Sequence, residues 1–238
     1  MLSLLCDTVC MSGGTRAANR AAMESEIRRL GRAHLRTHGA AGLSLRAIAR
    51  DMGVVSSAVY RYVPSRDDLL TLLLVEAYSD LADTVDAAVG AVDETRPQDR
   101  LRAATRALRR WAIDDPSRWA LLYGSPVPGY TAPAEQTVGP GTRVVGTLIA
   151  EVARAHATRD TAATESVPSS VTSDFDAIRT EFDTDLPDDA MLVATTLWAT
   201  TIGAISLEVF GQYGSDTFTD PEALFVAQID RTLAPIGG

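Results

Sequence analysis

Along residues 43–66 the apolar positions mark out two short helices. Leu45, Ile48, Ala49 and Met52 recur at i, i+3, i+4 and i+7, which is one apolar helical face. Ser44 stands just before them, where its hydroxyl can accept an orphan backbone N–H. Gly53 follows where that helix must stop, because glycine tolerates the left-handed conformation past a helix end. A second short helix, over about 55–62, offers Ala58, Val59 and Val63 for packing. It leaves Ser56, Ser57, Tyr60, Arg61 and Tyr62 pointing outward, and Pro64 ends it. Two short helices around a glycine predict a helix-turn-helix, whose second helix enters the DNA major groove. An ordinary helical hairpin with a solvated polar face has the same spacing.

The helical period continues on both sides. Upstream, Ala22, Met23, Ile27, Leu30, Ala33 and Leu35 form a stripe that predicts a helix over 19–38, and Gly39 and Gly42 break the chain after it. Downstream, Ser65 caps a fourth helix, with Asp67 and Asp68 in its first turn, where acids are favoured. Its pattern runs to about residue 92, long enough to join a small domain to a larger body and to act as a lever between them. Pro97 opens a fifth helix that buries Leu101, Ala104, Leu108 and Trp111; its arginines are expected to pair with acids of the body. The stretch 124–133 contains three prolines and two glycines and reads as a rigid loop. A helix is expected at 139–157, a mobile loop at 157–173 and a short amphipathic helix at 174–183.

Residues 190–207 carry no charge at all. That length touches the lower limit for a membrane span. However, Asp188, Asp189 and Glu208 flank the run and threonines dilute it, so a helix buried on nearly all sides in a protein interior is expected. A last helix covers 220–234. The resulting fold class is all-α. A three-helix helix-turn-helix domain occupies 16–64, a larger helical domain 65–238, and 1–15 form a disordered extension in which Met11 can serve as an alternative start.

Charge changes the picture once it is divided. The chain has a net charge of −9, but residues 16–66 hold ten Arg against Glu24, Glu26 and Asp51, a net +7. A basic head on an acidic body suits phosphate steering. Cys6 and Cys10 are the only cysteines, which argues against a disulfide framework and favours the cytoplasm. Residues 1–10 lack the basic n-region of a signal peptide. His34 and His38 have metal-ligand spacing but no evident third ligand, so neither metal nor cofactor is expected. His156 is the one histidine in the body and no cysteine accompanies it, so no nucleophile-base pair and no enzyme activity are expected.

The strings Gly42-Leu-Ser-Leu-Arg-Ala-Ile-Ala49, Met52-Gly-Val54, Ala58-Val-Tyr-Arg-Tyr62 and Pro64-Ser-Arg-Asp-Asp-Leu-Leu70 closely resemble the DNA-binding domain of the TetR (tetracycline repressor-like) family. The likeness spans about residues 20–75. Two positions depart from the family's pattern. Val55 stands where a small hydroxyl residue is frequent, and Val63 where Phe is usual. Pro116, Trp119 and the loop at 124–133 resemble an actinobacterial subclass of the family.

The resemblance implies a dimeric, ligand-responsive transcriptional repressor, released from a palindromic double-stranded DNA operator by a small apolar or amphipathic effector. It implies DNA contact by Ser44, Arg46, Ser56, Ser57, Tyr60, Arg61, Tyr62, Ser65 and Arg66. Arg46 and Arg61 would make charged contacts, Arg61 to a guanine edge. Tyr60, Ser65 and Arg66 would hold phosphate. Candidate ligand-binding residues are Trp111, Trp119, Tyr123, Tyr130, Phe175, Phe182 and Trp198. The last two long helices would form a four-helix homodimer interface, with Ala199 and Gly203 allowing close approach. No membrane partner is expected. The alternative is a DNA-binding regulator or architectural protein without an effector.

Overall fold

Side-chain caps, prolines in first turns and glycines at helix ends cut this chain into helices. The computed structural model describes residues 7–158 and 167–236, and among them ten α-helices and two 3-10 turns. Two compact units result: Met1–Glu76 with Ser125–Pro133, and Ala77–Gly124 with Ala134–Gly238.

In the first unit, α1 (Asp7–His38) leads through a 3-10 turn (Ala40–Gly42) to α2 (Leu45–Asp51), α3 (Ser56–Tyr60) and the start of α4 (Arg66–Gly90). The helix expected at 19–38 therefore begins at Asp7, within the stretch read as an extension; residues 1–6, with Cys6, lie outside the described residues. Ser44 caps α2, its Oγ accepting the Ala47 N–H at 3.4 Å. Gly53 takes φ +67°, a conformation costly for any residue with a Cβ, and so turns the chain into α3. Ile27, Leu35, Leu43, Leu45, Ile48, Val59, Val63, Leu69 and Leu70 are buried and form the core of this unit. A Cβ added at Gly31 would lie 3.1 Å from Leu73 Cδ1, tighter than ordinary packing, so a larger residue there would displace the Leu73 side chain.

The second unit holds the rest of α4, α5 (Pro97–Asp114), α6 (Pro116–Tyr123), α7 (Ala134–Ala157), α8 (Ser169–Phe182), α9 (Asp188–Val209) and α10 (Pro221–Leu233), closed by a 3-10 turn at Ala234–Ile236. Pro97, Pro116 and Pro221 each occupy a first turn, where the missing N–H costs nothing. Asp115 and Asp220 cap α6 and α10. α7 starts at Ala134, directly after the loop expected at 124–133 and five residues before the helix start expected at 139. α8 starts at Ser169 rather than at 174, which shortens the loop expected at 157–173, and 159–166, most of that loop, lie outside the described residues.

Arg100 and Glu151 are both buried, and the guanidinium donates to the two carboxylate oxygens at 2.9 and 3.0 Å and to the Val92 carbonyl at 2.8 Å. Arg109 grips Glu208 through two bonds of 2.8 and 2.7 Å, and Arg102 reaches Asp230 at 2.6 Å. These α5 arginines thus bind acids of α7, α9 and α10.

By length and composition α9 could cross a membrane. Ala190, Met191, Ala194, Leu197, Thr201, Ala204 and Ile205 instead face the core, against α5, α6, α7, α8 and α10. Burial on nearly all sides is not what the single chain shows. Thr196, Ala199, Gly203, Leu207 and Phe210 form an exposed stripe along the opposite face.

Candidate nucleic-acid interface and apolar pocket

Of the nine residues expected at DNA, Arg46, Ser57, Tyr60, Arg61 and Ser65 are exposed. Val59 and Val63 hold the inner side of the α3 segment at 0% and 2% exposure, which turns Ser57, Tyr60 and Arg61 outward. Ser56 and Tyr62 are half-buried. The Arg20 guanidinium lies 5.6 Å from the Tyr62 ring centroid, a cation–π contact that seats this ring against α1.

The remaining hydroxyls have structural work. Ser44 caps α2, and Ser65 caps α4, accepting the Asp68 N–H at 3.1 Å while donating to Asp68 Oδ2 at 2.7 Å. Arg66 is turned back into the unit: its Nη2 donates to the carbonyls of Ala40 and Ala41 at 3.0 and 3.2 Å. His34 Nε2 and Asp51 Oδ2 are 2.7 Å apart, so this histidine, considered above for metal spacing, ties α1 to the end of α2. Tyr130, expected in a ligand pocket, belongs to the first unit with its loop, its Oη 2.9 Å from Thr71 Oγ1 on α4.

In the second unit a pocket of about 130 Å³ lies among α7, α8 and α9. Val145, Leu148, Ile149, Ile178, Phe182, Ala194, Thr195 and Trp198 line it. Its one hydroxyl, Thr195 Oγ1, donates to the Met191 and Leu192 carbonyls at 3.1 and 3.0 Å, so the wall presents almost only C–H groups. Phe182 and Trp198 are therefore the two sequence candidates at the pocket itself. Tyr123 stands one ring away, 5.9 Å from Trp198 and 4.4 Å from Trp119 between centroids, and burial pushes its phenol pKa up.

The others serve the core. Trp119 is fully buried and donates to Ser206 Oγ at 3.2 Å. Trp111 donates to Asp80 Oδ2 at 2.8 Å beneath the Arg118 guanidinium, and Phe175 is buried. The aliphatic walls were not singled out in the sequence, because a Val or Leu lining a pocket has the same helical spacing as one filling a core.

Comparison with known proteins gives three kinds of likeness. Residues 101–232 match the family described as Tetracyclin repressor-like, C-terminal domain. The HTH-type transcriptional regulators Rv1816 of Mycobacterium tuberculosis and Mb1846 of Mycobacterium bovis are each 55% identical over 231 residues, covering 97% of this chain and 98% of theirs. Among solved structures, the regulatory protein SCO4313 superposes with a TM-score of 0.77 at 32% identity, covering 92% of this chain and 98% of its own. RolR in complex with its ligand resorcinol has a TM-score of 0.51 at 16% identity, covering 92% of this chain and 90% of its own, a likeness of fold alone.

Proposed function

Because this chain belongs to the TetR family of helix-turn-helix transcriptional regulators, we propose that it is a homodimeric repressor, released from a two-fold symmetric operator by a small, uncharged, largely apolar effector. The observation that carries the ligand half of this reading is the pocket at Phe182 and Trp198. Its volume of about 130 Å³ is near that of cavities of about 150 Å³ that bind benzene. A lining of C–H groups favours a ligand with little charge, because a buried charge there would go unpaired. RolR, of the same fold, takes the small phenol resorcinol as its ligand.

The DNA half rests on the exposed Arg46, Ser57, Tyr60 and Arg61 in a segment of net charge +7. An effector can release DNA only if it binds one arrangement of the dimer better than the other. Two chain segments lead from the pocket-bearing unit into the DNA-binding unit. One is α4, which contributes to both units; the other is the loop 125–133, which follows α6 and bonds to α4 through Tyr130 and Thr71.

The test is fluorescence anisotropy of operator-bound protein, with the operator enriched from a random DNA library and resorcinol, phenol and indole as probes. Ala194→Leu, which fills the pocket, is expected to leave operator affinity within about twofold while abolishing probe-induced release of about 5–150-fold. If Ala194→Leu and Trp198→Ala both abolish operator binding in protein that stays folded and dimeric, effector and DNA sites are not separable and the reading fails. A promoter–reporter pair whose output falls when the protein is deleted would overturn repression.

A further inference from the structure

We propose that Val55 is a base-reading residue whose methyl groups contact the C5-methyl of a thymine in each operator half-site. The inference rests on the reading that segment 55–61 enters the major groove. Val55 is 72% exposed, the most exposed large apolar side chain among the described residues. It occupies the N-cap position of α3 with an extended backbone, φ −69° and ψ 143°, and makes no side-chain cap bond. Ser, Thr, Asp and Asn are preferred there because their oxygens satisfy an orphan N–H, which valine cannot do. Packing does not explain the residue either. Val59 and Val63 already fill the buried side of this segment, at 0% and 2% exposure. Val55 therefore neither caps nor packs.

What valine does offer is two exposed methyl groups, at the residue that opens the helix carrying the exposed Ser57 and Tyr60. In the major groove every base pair displays hydrogen-bonding edges, but only thymine adds an apolar group, its C5-methyl. A stiff β-branched side chain holds its methyls in few rotamers, so it loses little freedom in such a contact. Among the exposed residues of segment 55–61, Val55 is the one whose side chain is wholly apolar, and the methyl of Ala58 is half-buried. The exposed apolar residues Leu207, Phe210 and Phe218 belong to the second unit and cannot compete for this role.

Uracil tests this with a change of one methyl group, since it keeps the hydrogen-bonding edges of thymine. Full-length protein is used to enrich duplexes from a random library, and each thymine of the winning sequence is replaced in turn by uracil. Wild type is expected to lose about fourfold in affinity at one thymine per half-site, the factor for one buried methyl-sized group. Val55→Ala is expected to bind the parent duplex more weakly and to treat thymine and uracil alike at that position. Val55→Thr, which keeps one methyl, should retain part of the preference. As an exposed residue, Val55 can be changed without disturbing the core, which circular dichroism will show. If no DNA is enriched, the DNA-binding reading itself fails. If DNA is enriched but uracil is neutral everywhere, or Val55→Ala keeps the wild-type uracil penalty, DNA binding stands and the role of Val55 is overturned.

Discussion

At the scale of single residues, the ten arginines of residues 16–66 are not equivalent sources of positive charge. Arg29 pairs with Glu26, Arg32 with Glu76, and Arg20 with both Glu24 and the Tyr62 ring. Arg66 spends its guanidinium on the Ala40 and Ala41 carbonyls, holding the α1–α2 connection against the start of α4. Arg46 and Arg61 are exposed. Salt dependence separates these roles, because each phosphate contact releases counterions. Arg61→Ala is expected to lower the slope of log affinity against log salt by about one if it touches phosphate. Should it instead reach a guanine edge, the slope will hold while discrimination at that base pair falls by about 1–3 kcal/mol. Arg66→Ala is expected to leave the slope unchanged and to reduce stability to urea by about 1 kcal/mol, a charged-donor hydrogen bond discounted for its partial exposure. A slope change in Arg66→Ala equal to that in a phosphate-contacting variant would return Arg66 to the DNA.

At the scale of elements, α8, one wall of the pocket, is tied to the start of α9 by a single carboxylate that bonds residues near both of its ends. Asp188, at the start of α9, accepts from Thr172 Oγ1 at 2.6 Å and from Arg179, while Arg179 Nε also donates to the Leu186 carbonyl at 2.7 Å. The Thr172 hydrogen bond, then Arg179, holds the Asp188 carboxyl below its ordinary pKa. A depressed pKa means that the folded state favours the ionised form. The tether is therefore fully present above the ordinary carboxylate range of about 4 and is lost as pH falls through the lower folded value. Hydrogen exchange, corrected for its intrinsic pH dependence, is expected to show α8 amides losing protection on acidification below that range, ahead of α7 and α9. Asp188→Asn should give the loosened α8 already at neutral pH. Equal protection of α8 in variant and wild type would show that the tether does not control this wall.

At the scale of the whole molecule, α9 leaves Thr196, Ala199, Gly203, Leu207 and Phe210 open along one face. Exposed apolar side chains such as Leu207 and Phe210 are costly in water, and this is the face on which the proposed homodimer would form. A Cβ placed at Gly203 meets nothing within 4 Å in the single chain. Gly203→Arg should therefore leave the fold intact, with an unchanged far-ultraviolet circular dichroism spectrum, yet shift the protein from dimer to monomer in light scattering at micromolar concentration. It should also weaken operator binding, because two linked half-site contacts would become one. A wild-type protein that is monomeric at that concentration would overturn the homodimer, and a Gly203→Arg protein that stays dimeric would move the interface elsewhere.

Local signals carried the sequence reading furthest. Ser44, Gly53, Ser65 and Pro97 act within a turn or two of themselves, so the helix-turn-helix and the helices around it were legible from order and spacing alone. Three outcomes depended on residues far apart in the chain. Tyr130 joined the first unit because its hydroxyl lies 2.9 Å from Thr71 Oγ1, a partner 59 positions away. Arg66 turned inward because the Ala40 and Ala41 carbonyls needed donors. The pocket walls, Val145, Leu148, Ile178 and Ala194, were indistinguishable from core until three helices were set side by side. Periodicity tells a side chain which face of its own helix it occupies. Whether that face meets a close-packed neighbour, a cavity or a second molecule is a property of what the other helices bring to it, and only tertiary packing decides that.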